Sequence, residues 1–440
     1  MNSNKTLTLG ENIVVGLMLF ALFLGAGNII FPPLLGQLSG ETLVIAIAGF
    51  LITGVGLPLI AVIAIAKSGG GLQEIASRAH PIFGLIFTVA VYLVIGPLFA
   101  IPRTATVSFE IAVLPFLSES LLGETWPLIV FSILFFIVTV LFAMNPTKLV
   151  DRIGKILTPI LIVVIGLLAI KSMITPMGTI GPAQGAYKED AFFESFLQGY
   201  LTMDVLAALV FGIVVINALR DKGVTDNQQL VKSTIFAGVI AATGLSLIYI
   251  SLSFIGATSI DSIGIQDNGG SILALSSNVL FGSFGSIILA MTIAFACLTT
   301  SIGLVAAAAQ FFEKLIPGMP YKVFVLIFSG FSAVIANVGL TQLINFSVPV
   351  LLAIYPLAIV LMVLSFVDRA FNRARIVYGL SLLFTSFISI FDGFKAAGIT
   401  FPAVEDVLMH LPFYSQGIGW IIPGIIGGFI GFIIYKIKKQ

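Results

Sequence analysis

The sequence is short of charge, cysteine and histidine. A single cysteine, Cys297, excludes a disulfide framework, and two histidines, His80 and His410, are too few for a Cys/His metal centre. Charged residues make up 9% of the 440, and the net charge of +1 leaves no footprint for nucleic acid. The apolar runs hold no Ser/His, His/Glu or paired-Asp arrangement, so the chain is not expected to be an enzyme, and no cofactor is called for. Only Lys5 precedes the first apolar run as a basic residue, and no small-residue cleavage site stands out. That run is therefore expected to stay as a span.

What the chain has in abundance is apolar surface. Hydrophobic residues make up 58%, more than a soluble core can hide, so the expected solvent is a lipid bilayer. Crossing about 30 Å of hydrocarbon takes roughly 20 helical residues. Runs of that kind fall near 11–36, 42–66, 82–112, 126–144, 153–173, 192–218, 232–256, 272–312, 322–338, 340–365, 374–392 and 418–436. The fold class is thus an all-α membrane protein of twelve transmembrane helices. The 272–312 run is too long for one span, and its first part, with Asn278, Gly282 and Gly285, reads as a surface helix feeding a span from near Ser283.

Of 21 lysines and arginines, Arg103 lies within a span, Lys171, Lys188 and Lys395 fall in outer loops, and the other 17 fall in inner loops if the N-terminus is inside. The bias alternates loop by loop, so both termini are expected in the cytoplasm. No linker or charged tail sets off a soluble domain, and 1–440 reads as one membrane unit. The first and sixth spans both carry polar and glycine residues at mid-depth and start from opposite sides. Five spans per repeat would invert the second set: 11–173 as the first repeat, 192–365 as the second, and 374–436 as two additional helices.

The chain is organised around Phe20–Gly36, FALFLGAGNIIFPPLLG. Gly25, Gly27, Asn28, Pro32 and Pro33 sit where a helix should be most regular, so the run reads as a helix broken half-way across. Bare peptide groups persist in lipid only where they line a cavity or hold a ligand. The sixth span repeats the pattern in Gly199–Gly212, GYLTMDVLAALVFG. Counted inward at 1.5 Å per residue, Gly25–Asn28, Tyr200–Asp204 and Thr299–Ser301 reach a common depth.

The amides of Gly25, Ala26 and Gly27, at the positive end of the following half-helix, invite a carboxylate. The carbonyls around Ala21 to Leu24 suit a small cation, and Thr299 and Thr300 can complete an oxygen cage that fits sodium better than a transition metal. Asp204 is the sharpest single residue, since an ionisable group this deep costs several kcal/mol unless it is paired. It can bind an ammonium, ligate a cation or carry a proton; the structural alternative is that it stays protonated or pairs with Tyr200 or Thr202. The Thr299, Thr300 and Ser301 hydroxyls have their own alternative, bonding back to carbonyls one turn earlier. Arg103 and Glu110, seven apart, share a helical face near the outer end of the third span, where anchoring and gating are both open. Asp392 and Lys395, one turn apart, read as an interfacial pair.

FLGAGNIIFPP, GPLFAIPRTATVSFE (Gly96–Glu110) and GYLTMDVLAALVFG together resemble the bacterial branched-chain amino acid carriers, the leucine/isoleucine/valine:cation symporters, over essentially the whole chain. A more distant resemblance is to the LeuT-type symporters: Gly25, Gly27, Asn28, Phe31 and Pro32 match their first helix, and Ala296, Leu298, Thr299, Thr300, Ser301 and Ile302 their eighth. The resemblance implies a LeuT-like 5+5 inverted repeat plus two extra helices, in a bacterial cell (inner) membrane. It implies sodium held by Ala21, Leu24, Ala296, Thr299 and Thr300, and substrate held by Gly25, Ala26, Gly27, Asn28, Tyr200, Thr202 and Asp204. The partners implied are leucine, isoleucine or valine, a cation and the bilayer; no obligate protein partner is. The Asn28 to Pro32 spacing is one residue shorter than in the LeuT-type motif and no arginine follows the asparagine, so that fold's outer gate is not carried over. The alternatives are a proton-coupled or other neutral amino acid or nucleobase permease of the same fold, and an ion channel.

Overall fold

The computed structural model describes residues 7–144 and 148–439, apart from the side chains of 148–158 and Lys439. Lys5 lies outside the described residues, as do the side chains of Lys148, Arg152, Lys155 and Lys439. No strand forms among the described residues. Thr8 opens α1 (Leu9–Phe23) by reciprocal capping: its hydroxyl accepts from the Glu11 amide at 3.2 Å, and the Glu11 carboxylate accepts from the Thr8 amide at 2.9 Å. α1 ends at Phe23, and α2 (Ala26–Ser39) continues the first span.

The second span is α3 (Leu43–Leu51), a π turn at Ile52–Gly56, and α4 (Leu57–Ser68). After the short α5 (Leu72–Ser77), the third span is α6 (Pro81–Leu93) and α7 (Ala100–Ala112), parted by a second π turn at Val94–Leu98 that holds Pro97. The next two spans are α8 (Trp126–Ala143) and α9 (Lys148–Ile174). The sixth is α10 (Tyr187–Gln198) with α11 (Asp204–Asp221), bent by 43° at the join. α12 (Asn227–Ala257) follows, then the short α13 (Ile260–Ile263).

α14 (Gly269–Leu315) is interrupted at Gly282, whose φ of +64° suits a residue without a Cβ. The expected division at this point is therefore present, but the first part is not a surface helix, since Ile272, Leu273, Ser276 and Ser277 are buried. α15 (Tyr321–Ala336), α16 (Leu340–Val367), α17 (Arg375–Ala396), the short α18 (Pro402–Leu408) and α19 (Ile421–Lys439) complete the order. Among the described residues, eight helical runs are long and apolar enough to cross a membrane, and the bent pair makes a ninth. Three shorter apolar helices stand beside these runs, Leu9–Phe23, Pro159–Ile174 and Tyr321–Ala336.

α2 lies along α12, and two glycines let the backbones meet. A Cβ at Gly256 would overlap the Pro33 carbonyl oxygen, and one at Gly36 the Ser253 carbonyl oxygen. In lipid, close backbone approach at small residues replaces the hydrophobic drive between helices. Gly256→Ala is expected to cost about 1–3 kcal/mol by forcing α2 off α12. The measurement is thermal unfolding of the purified protein, with Gly303→Ala, where a Cβ meets open space, as the unaffected control.

The end of the bundle near α5 is tied by cations. Lys67 Nζ donates to the Phe366 carbonyl at 2.6 Å; Arg78 and Arg373 reach the Asp368 carboxylate at 2.8 and 3.2 Å. Positive groups are favoured beside the unpaired carbonyls that end α16. At the opposite end, Asp261 accepts from the Thr179 amide and hydroxyl at 2.7 and 3.0 Å, bonds that hold its carboxyl below the usual range.

Candidate functional site

The first break is made by residues that cannot continue a helix as a unit. Leu24 leaves the helical region at ψ 80°, and Gly25 is extended at φ −108°, ψ −174°. The Gly25 amide donates to the Phe23 carbonyl at 2.7 Å and to Asn28 Oδ1 at 3.2 Å. It therefore no longer serves the Ala21 carbonyl. The first-turn amides of Ala26, Gly27 and Asn28 have no preceding helical carbonyl to reach. Pro32 and Pro33 lack the amides that would bond the Asn28 and Ile29 carbonyls.

The sixth span breaks at the same level. Gly199–Thr202 tighten into a 3-10 turn, and Met203 takes a left-handed conformation at φ 65°, strained for a residue with a Cβ. The second span sits against this turn: Thr53 donates to the Phe196 carbonyl at 2.8 Å, drawing it away from the α10 ladder, and a Cβ at Gly199 would strike the Thr53 hydroxyl. Thr202 donates to the Gly199 carbonyl at 2.9 Å and accepts from the Asp204 amide at 3.3 Å, which caps α11.

The two breaks touch. A Cβ built on Gly27 would lie 3.2 Å from the Thr202 carbonyl oxygen, and Asn28 Nδ2 donates to Asp204 Oδ2 at 2.6 Å. A third span joins them: the Tyr249 hydroxyl, from α12, donates to the same carboxylate oxygen at 3.0 Å and contacts Asn28 Nδ2. Asn28 and Asp204 are 2% and 3% exposed. Two donors and the first turn of α11 offset a carboxylate that burial alone would strongly disfavour. Of the two structural partners anticipated for Asp204, Thr202 is in place: it accepts from the Asp204 amide and also bears on the carboxylate, beside Asn28 and Tyr249. Tyr200 instead stacks on Tyr355, ring centroids 4.4 Å apart.

Arg103 lies deeper than its expected place near the outer end of the third span. The π turn at Val94–Leu98 delays the start of α7, so Arg103 lies in its first turns, far from the outer end, and is 1% exposed. Its guanidinium donates to the Leu201 carbonyl at 2.6 Å and to Ser347 at 3.1 Å, and it sits 5.2 Å from the Phe31 ring centre. Arg103 therefore clamps the unwound turn from one side while Asp204 closes it on the other. Glu110 does not share that environment. It accepts from Ser271 at 3.2 Å and from Asn268 at 3.5 Å, at the start of α14. Arg103 carried a signal as the one basic residue within a span, whereas Tyr249, between Ser246 and Ser251, did not stand out.

On the cation side, Thr300 comes beside Gly25, its methyl 3.8 Å from where a Cβ would stand. Thr299 and Thr300 hydroxyls both donate to the Ala296 carbonyl at 2.9 Å, so their lone pairs, not their hydrogens, are available to an ion. Ser301 is taken up elsewhere, 3.3 Å from the Thr139 hydroxyl. Toward the α5 end, a cavity of about 260 Å³ is walled by Leu209, Val210 and Ile213 of α11, Gly71–Glu74, and the stacked rings of Tyr92 and Phe311, 3.9 Å apart. It begins one to two turns beyond Asp204. Bare amides attract an anion and Asp204 a cation, so a zwitterion matches both.

The chain matches the model of a family described as branched-chain amino acid transport protein over residues 9–438. It is 53% identical to the branched-chain amino acid permease BraB of Bacillus subtilis over 98% of this chain and 96% of that protein. It is 49% identical to the permease BrnQ of the same organism, over 98% of each. Among solved structures it is similar to Mhp1, a nucleobase-cation-symport-1 family transporter in a closed conformation with bromovinylhydantoin bound. There the TM-score is 0.61 at 14% identity, over 99% of this chain and 95% of the other. That likeness is one of fold: a LeuT-like, all-helical, multi-span architecture.

Proposed function

The chain belongs to the branched-chain amino acid transport protein family, and from that premise we propose that it is a secondary carrier taking up leucine, isoleucine and valine with a coupling cation across a bacterial cell membrane. The observation that carries the reading is the meeting of two interrupted spans through Asn28, Asp204 and Tyr249. In this reading the Gly25, Ala26 and Gly27 amides take the substrate carboxylate. Asn28, Tyr200, Thr202 and Asp204 face its ammonium and side chain.

The cation sits among Ala21, Leu24, Ala296, Thr299 and Thr300 and bridges α1 to α14. Substrate and ion each bind best when the other is present, a reciprocal coupling free energy. Alternating access follows if the first and sixth spans move against the remainder, opening the cavity beside α11 in one state and closing it in the other. Repeats at 11–173 and 192–365 with helices 374–436 outside them, and cytoplasmic termini, complete the proposal.

Proton coupling is the second reading, and one observation favours it. The Ala296 carbonyl already accepts both threonine hydroxyls, which leaves it little capacity for an ion, whereas Asp204 is a carboxylate at the centre of the site. Counterflow of labelled leucine in proteoliposomes, with sodium and pH varied separately, tests both. Sodium-dependent, saturable exchange is expected. Thr300→Ala is expected to raise the sodium concentration needed for half-maximal exchange about tenfold, the loss of one ligand worth ~1.4 kcal/mol. An unchanged sodium response in that variant would remove Thr300 from the ion site.

A further inference from the structure

A second group of buried polar atoms lies where the turn Gly199–Thr202 meets α17 and the segment leading into α19. Tyr200, Tyr414 and Trp420 are each 5% exposed or less. Both hydroxyls, the Trp420 Nε1 and one carboxylate oxygen of Asp392 lack a hydrogen-bond partner among the described residues. They are nonetheless close: Asp392 acts electrostatically on both tyrosines, and the Trp420 indole approaches the Tyr200 hydroxyl without reaching hydrogen-bond geometry. The expected Asp392–Lys395 pair is not formed as a contact. Lys395 Nζ instead lies 5.3 Å from the Tyr414 ring centre, although its charge still reaches Asp392. Glu405 is the remaining charged group that faces Tyr414.

Folded proteins leave few buried polar groups unpaired, and each orphan costs about 1–3 kcal/mol. Here four occur close together, Asp392 within electrostatic range of both tyrosines and the Trp420 indole beside the Tyr200 hydroxyl. Such a gap suits a small molecule that both accepts and donates. Water does so. A metal ion does not, because the indole nitrogen offers only its hydrogen. We propose that Asp392, Tyr200, Tyr414 and Trp420 form a buried site for ordered water and a proton. Tyr200 belongs to the break of the sixth span itself, and its ring stacks on Tyr355, whose hydroxyl faces Thr202, so the state of the site bears directly on that turn. That last link rests on the proposed transport reading; the site itself does not.

The test reads the site without transport. The chain has two tryptophans, Trp126 and Trp420, so Trp126→Phe leaves Trp420 as sole emitter. Its emission in the purified full-length protein is expected to pass through one transition as pH is lowered from neutral through the carboxylate range. Asp392→Asn in that background should abolish the transition, Asp392→Glu should keep one, and Glu405→Gln should leave it in place. No transition in the Trp126→Phe protein, or one that survives Asp392→Asn, overturns the proposal. If Asp392→Asn fails to fold, the Glu405→Gln variant decides: loss of the transition there assigns it to Glu405 and equally overturns the site.

Discussion

Asp204→Asn is expected to lower leucine uptake in proteoliposomes about a hundredfold while leaving a monodisperse, folded protein. The asparagine keeps the shape and one acceptor oxygen for Asn28 and Tyr249, which now bond the carboxylate at 2.6 and 3.0 Å. What it loses is the negative charge that the proposed ammonium or cation meets. Hydrogen bonds to charged groups contribute about 1.5–3 kcal/mol, and the upper figure corresponds to the hundredfold loss. Burial pulls the other way: a neutral side chain is cheaper in the bilayer core, so the thermal midpoint should hold or rise. A stable variant with poor uptake separates function from fold. Uptake within threefold of the parent would show that Asp204 is only a structural partner of Asn28.

Arg103→Met is expected to reduce uptake roughly thirtyfold, the equivalent of about 2 kcal/mol for one charge-assisted hydrogen bond. The methionine fills much of the volume and relieves the desolvation of a guanidinium that has no carboxylate within 4 Å among the described residues. The Leu201 carbonyl, held at 2.6 Å, loses its donor, and the unwound turn loses its clamp to Ser347 and α2. Arg103→Lys should not restore uptake, because an ammonium cannot reach Leu201 and Ser347 while lying on the Phe31 ring. Full activity in the lysine variant would reduce Arg103 to a buried positive charge.

Breaks are local events, and this explains what could be read from the chain alone. Gly25 ends the first helix whatever surrounds it, as Gly282 interrupts α14, whereas Gly27, Pro32 and Pro33 lie inside the continuous α2. Span positions follow from apolar length, so all twelve fall within a few residues of their expected places. Partners are another matter. Tyr249 meets Asp204 only because α12 packs on α2 through Gly36 and Gly256, a contact no spacing in either run encodes. Arg103 stands well before α7 ends at Ala112, roughly 13 Å along the axis at a regular rise, and what the count could not supply is its partner, the Leu201 carbonyl. Asp392 and Lys395 looked paired at one turn's spacing, yet Tyr414, brought in from the segment before α19, takes the lysine.

The interrupted first and sixth spans are the centre of the account, and a structure of the full-length protein with leucine bound tests it most directly. The expected density places the leucine carboxylate on the amides of Gly25–Gly27 and its ammonium toward Tyr200–Asp204. Leucine seated away from both breaks, or spans that close into continuous helices around it, would contradict the account.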